Sequence, residues 1–92
     1  MLLWTLFYSD ERFGLRVGTW NVKSMSGRGT EVCKELRKRR MDVCCLQEVR
    51  WRGQGAPFMG VKSKRYKLWW SGNSDGMGGV GVLVKEELVR RL

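Results

Sequence analysis

Histidine is absent from the 92-residue sequence, which removes the commonest general base, a ready proton shuttle and a principal zinc ligand together. Cysteine is scarce. Cys33, Cys44 and Cys45 cannot all pair, and the adjacent Cys44 and Cys45 lack the C-x-x-C spacing of zinc or thioredoxin-type sites. They read as reduced core thiols, which points to a nuclear or cytoplasmic chain rather than a secreted one and disfavours metal binding through sulfur. Long apolar runs are missing too: the stretch Met1 to Tyr8 falls well short of the roughly 18 residues a membrane span needs. It also lacks the basic start and small-residue cleavage site of a signal peptide. Acidic residues are few, with nine Asp and Glu against eighteen Lys and Arg and a net charge of +9. Such an excess favours a polyanionic partner, nucleic acid or an anionic membrane surface, and equally describes a solvated basic face. Neither internal repeats nor low-complexity tracts occur, and the length allows at most one small domain.

What is present follows a strand and helix rhythm. Residues 1–14 read as an appendage, an extra strand or a helix turn, joined through the polar Ser9-Asp10-Glu11-Arg12. Leu15 to Val22 alternates with period 2 and is rich in β-branched and aromatic residues, which predicts a strand. Lys23 to Gly29 breaks that pattern as a loop. Thr30 is placed to cap a helix over Glu31–Arg40, with Val32 and Leu36 on one face and a basic last turn, Arg37 to Arg40, that complements the helix dipole. Val43-Cys44-Cys45-Leu46 is too short for a helix, and its continuous apolar character suits a strand covered on both faces. Arg52 to Pro57 reads as an irregular loop. Tyr66 to Trp70 and Gly79 to Val84 are two further strands, expected to pair antiparallel across the turn-rich Ser71 to Gly78. Trp69 and Trp70 must then face opposite sides. Lys85 to Leu92 begins a turn or a helix.

Strand, helix, strand over about 30 residues is a βαβ unit. Asn21 and Glu48 both emerge at carboxyl ends of its strands, where open α/β sheets gather their chemistry. Neighbouring strands lie about 5 Å apart, so the two side chains can converge on one ion or phosphate. The basic and aromatic residues Arg50, Trp51, Arg52, Lys62, Lys64 and Arg65 are candidate nucleic-acid contacts, since base stacking beside cations is how single strands are held. Trp51 is the preferred candidate among the aromatics.

Thr19-Trp20-Asn21-Val22, Leu46-Gln47-Glu48-Val49-Arg50-Trp51 and Gly79-Val80-Gly81-Val82-Leu83-Val84, in this order and at these separations, resemble the amino-terminal portion of the endonuclease/exonuclease/phosphatase superfamily. Within it the pattern looks most like the apurinic-type endonuclease domain of non-LTR retrotransposons and their craniofacial development protein 2-like relatives. The resemblance runs from Leu15 to Val84 and implies residues 15–92 to be the front part of such a domain. The implied fold class is α+β, a partial and truncated four-layer α/β/β/α sandwich built from the βαβ unit and the antiparallel strand pair. In that family the Glu of Gln-Glu is a ligand of the catalytic cation, Mg2+ or Mn2+, and this role carries over to Glu48. The Asn of Trp-Asn, here Asn21, helps hold the metal and the phosphate.

The implied reaction is hydrolysis of a phosphate ester, with DNA the expected substrate and a lipid or inositol phosphate the runner-up. The Ser-Asp-His, Asp-x-Asn and Tyr elements that complete the family's site are not in these 92 residues, and Ser74-Asp75-Gly76 is no substitute. The chain alone is therefore expected to be inactive and to want the remainder of the domain as a partner. The alternative is a basic nucleic-acid-binding or interaction module without chemistry. With one helix over one sheet face, the other face is expected to stay open.

Overall fold

A computed structural model describes residues 4–10 and 14–91. It shows an α+β fold with a single mixed sheet. The strands are β1 (Trp4–Asp10), β2 (Leu15–Asn21), β3 (Val43–Gln47), β4 (Gln54–Gly55), β5 (Phe58–Met59), β6 (Tyr66–Ser71) and β7 (Val80–Lys85), with helices α1 (Gly29–Lys38) and α2 (Glu86–Val89). Their order across the sheet is β1-β2-β3-β7-β6-β4, and β5 also pairs with β6. β2 and β3 run parallel, while β3, β7 and β6 alternate in direction. The expected βαβ unit and antiparallel pair are both present, with β7 seated between β3 and β6. Of the appendage, residues 1–3 and 11–13 lie outside the described residues, and the backbone of β1 adds an antiparallel strand to β2.

Strand alternation sorts the side chains into two faces. Trp20, Cys44, Leu46, Tyr66, Leu68 and Leu83 share one face and are buried under Val32, Cys33 and Leu36 of α1, with Val22, Met25, Met41 and Val49 closing the cluster. A side chain such as Leu36, fully shielded, contributes about 2 kcal/mol by leaving water. On the opposite face lie Cys45, Trp69, Val80 and Val82; Trp69 and Val82 are each 37% exposed and Val80 59%. Trp70 takes the α1 side and is half-buried against the core, so the two tryptophans divide between the faces as alternation requires. No helix among the described residues is long and apolar enough to cross a membrane.

The helix departs from its expected bounds at both ends. Thr30 lies inside α1 rather than capping it, and the N-cap, Arg28, makes no side-chain cap bond. Arg28 anchors that end differently, donating to the Val22 carbonyl at 2.7 Å and pairing with Glu31 at 3.6 Å. At the other end Arg40 turns left-handed, with φ +56°. Met41 N–H then reaches back to the Leu36 carbonyl at 2.9 Å, a Schellman closure that stops the helix before Arg39. Its usual companion contact is present, since Met41 and Leu36 are both core residues. Within Arg52 to Pro57, expected to be irregular, Gln54–Gly55 forms β4, and just beyond Pro57 the pair Phe58–Met59 forms β5, both against β6. Lys85 to Leu92 yields α2, with Leu92 outside the described residues.

Buried charge sits at the amino end of β3 and β6. Asp42, 7% exposed, accepts the Arg16 N–H at 2.7 Å and pairs with Lys85 at 2.8 Å, so one carboxylate ties β2, β3 and β7 together. Glu86, 5% exposed, pairs with Arg65 at 2.5 Å and Arg90 at 3.2 Å. Arg37 leaves the helix face to grip Glu87 through both nitrogens at 2.9 and 3.0 Å, and its guanidinium lies over the Tyr66 ring. The basic last turn of α1 thus does more than complement the dipole, because it fastens α2 to the sheet. Burial pushes the Cys33 thiol up to about 11 and the Cys44 thiol to about 12; among the described residues all three cysteines are free thiols.

Two stability measurements follow from these contacts. Tyr66, fully buried, donates its hydroxyl to the Met41 carbonyl at 2.5 Å. Tyr66→Phe is expected to cost about 1–2 kcal/mol in denaturant unfolding, and an unchanged midpoint would contradict this contact. Hydrogen bonds from Arg37 hold the Glu87 carboxyl at about 2, below its ordinary 4.5. The folded state therefore binds this proton more weakly than the unfolded chain, so the stabilisation is present above about pH 4.5 and fades as pH falls towards 2. Because Glu87 is 52% exposed, the pair contributes under about 1 kcal/mol. Glu87→Gln should remove that part of the acid dependence and leave stability at high pH only slightly lower; an identical acid limb in both proteins would contradict it.

Candidate active site

Because β2 and β3 are parallel with Asn21 opposite Gln47, both release the chain at the same end of the sheet. Their pairing continues past the strands: Val22 N–H donates to the Gln47 carbonyl at 3.1 Å, Ser24 N–H to Glu48 at 2.7 Å and Met25 N–H to Val49 at 2.9 Å. Two connecting segments can run side by side this far only by bending sharply. Lys23, Ser24, Glu48 and Arg50 have φ of +51°, +102°, +56° and +58°. Each such non-glycine residue costs on the order of 1 kcal/mol, and strain of this kind collects at functional sites.

A third segment presses on the same place. Arg50 N–H donates to the Gly78 carbonyl at 2.7 Å, and Val49 N–H to Gly79 at 3.4 Å. The glycines between β6 and β7 make this approach possible. A Cβ on Gly72 would sit 1.6 Å from the Trp51 carbonyl oxygen, and one on Gly79, at φ +87°, would press on the Gly72 Cα and Ser71 carbonyl at 3.2 Å each. From sequence this cluster reads only as a hairpin loop; its role in buttressing the Glu48 turn rests on close approaches that no local motif encodes. Ser74-Asp75 closes that loop on itself, with Asp75 Oδ1 accepting the Met77 N–H at 2.9 Å.

Within this frame Asn21 and Glu48 lie at the same end of adjacent strands. Asn21 Oδ1 accepts the Lys23 N–H at 3.2 Å, which orients its amide. Glu48 is more unusual. Its side chain is 37% exposed, yet Oε2 is shut off from solvent and accepts no hydrogen bond; Arg50 Nη2 stands 3.5 Å away. Arg50 Nε is likewise buried with no hydrogen-bond partner. Gln47 donates to Thr19 Oγ1 at 2.6 Å and so braces the two strands just behind this pair.

The remaining candidates divide. Trp51 is half-buried, donating its indole N–H to Ser26 Oγ at 3.1 Å and packing edge-on against Trp70 with centroids 5.1 Å apart. Both contacts fix the ring, so it is not a free stacking arm. Arg52 is exposed and lies along Gly76. Arg65 sits at the start of β6, the end of the sheet away from Glu48, with its charge engaged by Glu86 and its guanidinium over Phe58. Lys64 is exposed beside α1. The two basic clusters that lie close in sequence are therefore separated, because β6 begins where β3 begins and not where it ends.

A magnesium-type cation prefers oxygen donors, keeps several waters and needs only one or two carboxylates from the protein. Glu48 Oε2, shielded and accepting no hydrogen bond, is the carboxylate oxygen that could serve such an ion, and Asn21, at the same end of the adjacent strand, carries the amide oxygen that could join it. No group of three or more His, Cys, Asp or Glu residues gathers among the described residues.

No match is found among curated proteins or among solved structures. The family model described as Endonuclease/Exonuclease/phosphatase family matches residues 18–91, a span that takes in the second half of β2, all of α1 and β3, the Glu48 turn and the β6–β7 pair. The chain belongs to the endonuclease/exonuclease/phosphatase family.

Proposed function

We propose that these residues form the metal-holding end of a magnesium- or manganese-dependent phosphodiesterase that acts on DNA, of the kind carried by non-LTR retrotransposons. The observation that carries this reading is the Glu48 carboxylate oxygen, enclosed and lacking a hydrogen bond at a strand end bent into the left-handed region. A buried acceptor left unsatisfied costs roughly 1–3 kcal/mol, a cost that a cation ligand recovers. Glu48 would hold the ion, and Asn21, oriented through Lys23, would hold the phosphate beside it. When bound, the ion supplies Lewis-acid polarisation of a phosphoryl oxygen. Arg50, 3.5 Å from the carboxylate, offers its guanidinium to the phosphate's negative charge. The net charge of +9 favours a polyanionic substrate over a small phosphate ester.

Extracting a proton from water needs a base, and the sequence contains no histidine. We accordingly assign to these 92 residues metal and phosphate binding without turnover on their own. Glu48→Gln tests the assignment by keeping the shape and removing the charge. Manganese binding, followed by calorimetry or by the spin signal of the free ion, is expected to weaken at least about tenfold. Equal affinity in the two proteins would overturn the metal role, and plasmid nicking abolished by the same substitution would overturn the assignment of no turnover.

A further inference from the structure

Three lysines that lie outside the internal ion pairs gather in one groove. Among the described residues Glu31 pairs with Arg28, Glu35 with Arg39, Asp42 with Lys85, Glu48 with Arg50, Glu86 with Arg65 and Arg90, and Glu87 with Arg37. Arginine therefore carries most of the internal pairing. Lys34, Lys38 and Lys64 take part in none of these pairs, and all three are exposed. They line the same recess, of about 420 Å3, between α1 and the turn from Gly60 to Lys64.

The recess is built, not incidental. Thr30, Lys34 and Lys38 recur at one-turn intervals and form a single stripe along α1, with the Lys34 and Lys38 backbone positions about 6 Å apart along the axis. Opposite them the turn is closed by the Lys64 N–H donating to the Val61 carbonyl at 2.9 Å. It is held close to the helix at Gly60, where a Cβ would meet the Cys33 Cβ at 3.1 Å and φ is +100°. The floor is Arg37, whose charge is already engaged by Glu87 and whose Nη2 donates to the Arg65 carbonyl at 3.2 Å. The acids of α1, Glu31 and Glu35, are turned to arginines at positions 28 and 39, so no carboxylate competes among the groove's lining.

We propose that this groove binds the phosphate backbone of a nucleic acid, as a second contact surface on the helix layer, apart from the Glu48 site. The proposal takes only the ligand class from the function proposed above. A recess with lysines on both walls suits a strand laid along it, where three cations meet successive phosphates without reading bases. A flat anionic membrane would reach one wall at a time.

The test is fluorescence anisotropy of a labelled oligonucleotide with the full 92-residue chain, in chelator, across a salt series. Lys34→Gln/Lys64→Gln, which removes one amine from each wall, is compared with Lys67→Gln/Arg91→Gln, which removes the same charge elsewhere. Circular dichroism confirms that both variants keep the fold. The groove variant should lower the salt slope by about 1.5 and weaken binding about fivefold, and the control by less than about twofold. Because the assay runs in chelator, it does not depend on a cation at Glu48, so a failure of the metal assignment leaves this result standing. Equal losses in the two double variants, or no loss in the groove variant, would overturn the proposal. So would displacement of the oligonucleotide by phosphatidylserine vesicles whose binding depends on the groove lysines, since the groove would then belong to a lipid surface. No oligonucleotide binding by the wild type would overturn both the groove and the nucleic-acid reading.

Discussion

The parallel pairing of β2 with β3, carried three hydrogen bonds beyond the strands through Val22, Ser24 and Met25, is the constraint on which the rest of the architecture depends. A βαβ unit would place Asn21 and Glu48 at the same end of the sheet in any case. The extended ladder goes further, because it forces the segments that follow to travel together and bends four non-glycine residues to positive φ. That bending brings Glu48 out of a regular strand and lets the β6–β7 loop close on its backbone. The strain is borne by the core beneath, where Val22, Met25 and Val49 are buried beside Trp20 and Leu46.

Charge is divided along the strand axis. At the end where β3 and β6 begin, carboxylates and cations are satisfied in pairs: Asp42 with Lys85, Glu86 with Arg65 and Arg90, Glu87 with Arg37. These contacts lock α2 and the sheet. At the end where β2 and β3 finish, Glu48 and Arg50 face each other at 3.5 Å with polar atoms of both left without hydrogen bonds. The difference is one of purpose in physical terms. Satisfied pairs fix geometry, whereas the longer Glu48–Arg50 pair leaves polar atoms of both side chains without hydrogen bonds; under the proposed function a cation would meet the carboxylate and a phosphate the guanidinium.

Much of the framework is legible in the residues themselves. Period-2 alternation marks β2, the short apolar run marks β3, and the aromatic and glycine-valine segments mark β6 and β7. The Trp-Asn and Gln-Glu pairs carry the family. What escapes is long-range or conformational. The stop of α1 depends on Arg40 adopting a left-handed turn that sequence rules assign to glycine. Pro57 suggests a loop, yet the flanking Gln54-Gly55 and Phe58-Met59 find hydrogen-bond partners on β6. Arg37 reads as a helix-end cation until α2 folds back against it. Lys64 and Arg65 read as neighbours of Arg50 and Arg52 because proximity along the chain hides that β6 starts at the far end of the sheet. Asn21 and Glu48 were visible as strand-end residues, but the enclosure of one Glu48 oxygen depends on the backing loop and could not be read locally.

The most direct measurement of the central claim, that the ends of β2 and β3 together present one cation site, is a magnesium titration of the isotopically labelled chain followed by amide resonances. The account predicts that shifts are confined to Asn21 through Ser24 and Glu48 through Arg50, saturating with a single affinity, while the amides of Arg65, Glu86 and Glu87 stay in place. Shifts at the Glu86 end, or changes spread evenly over the exposed acids without saturation, would contradict it.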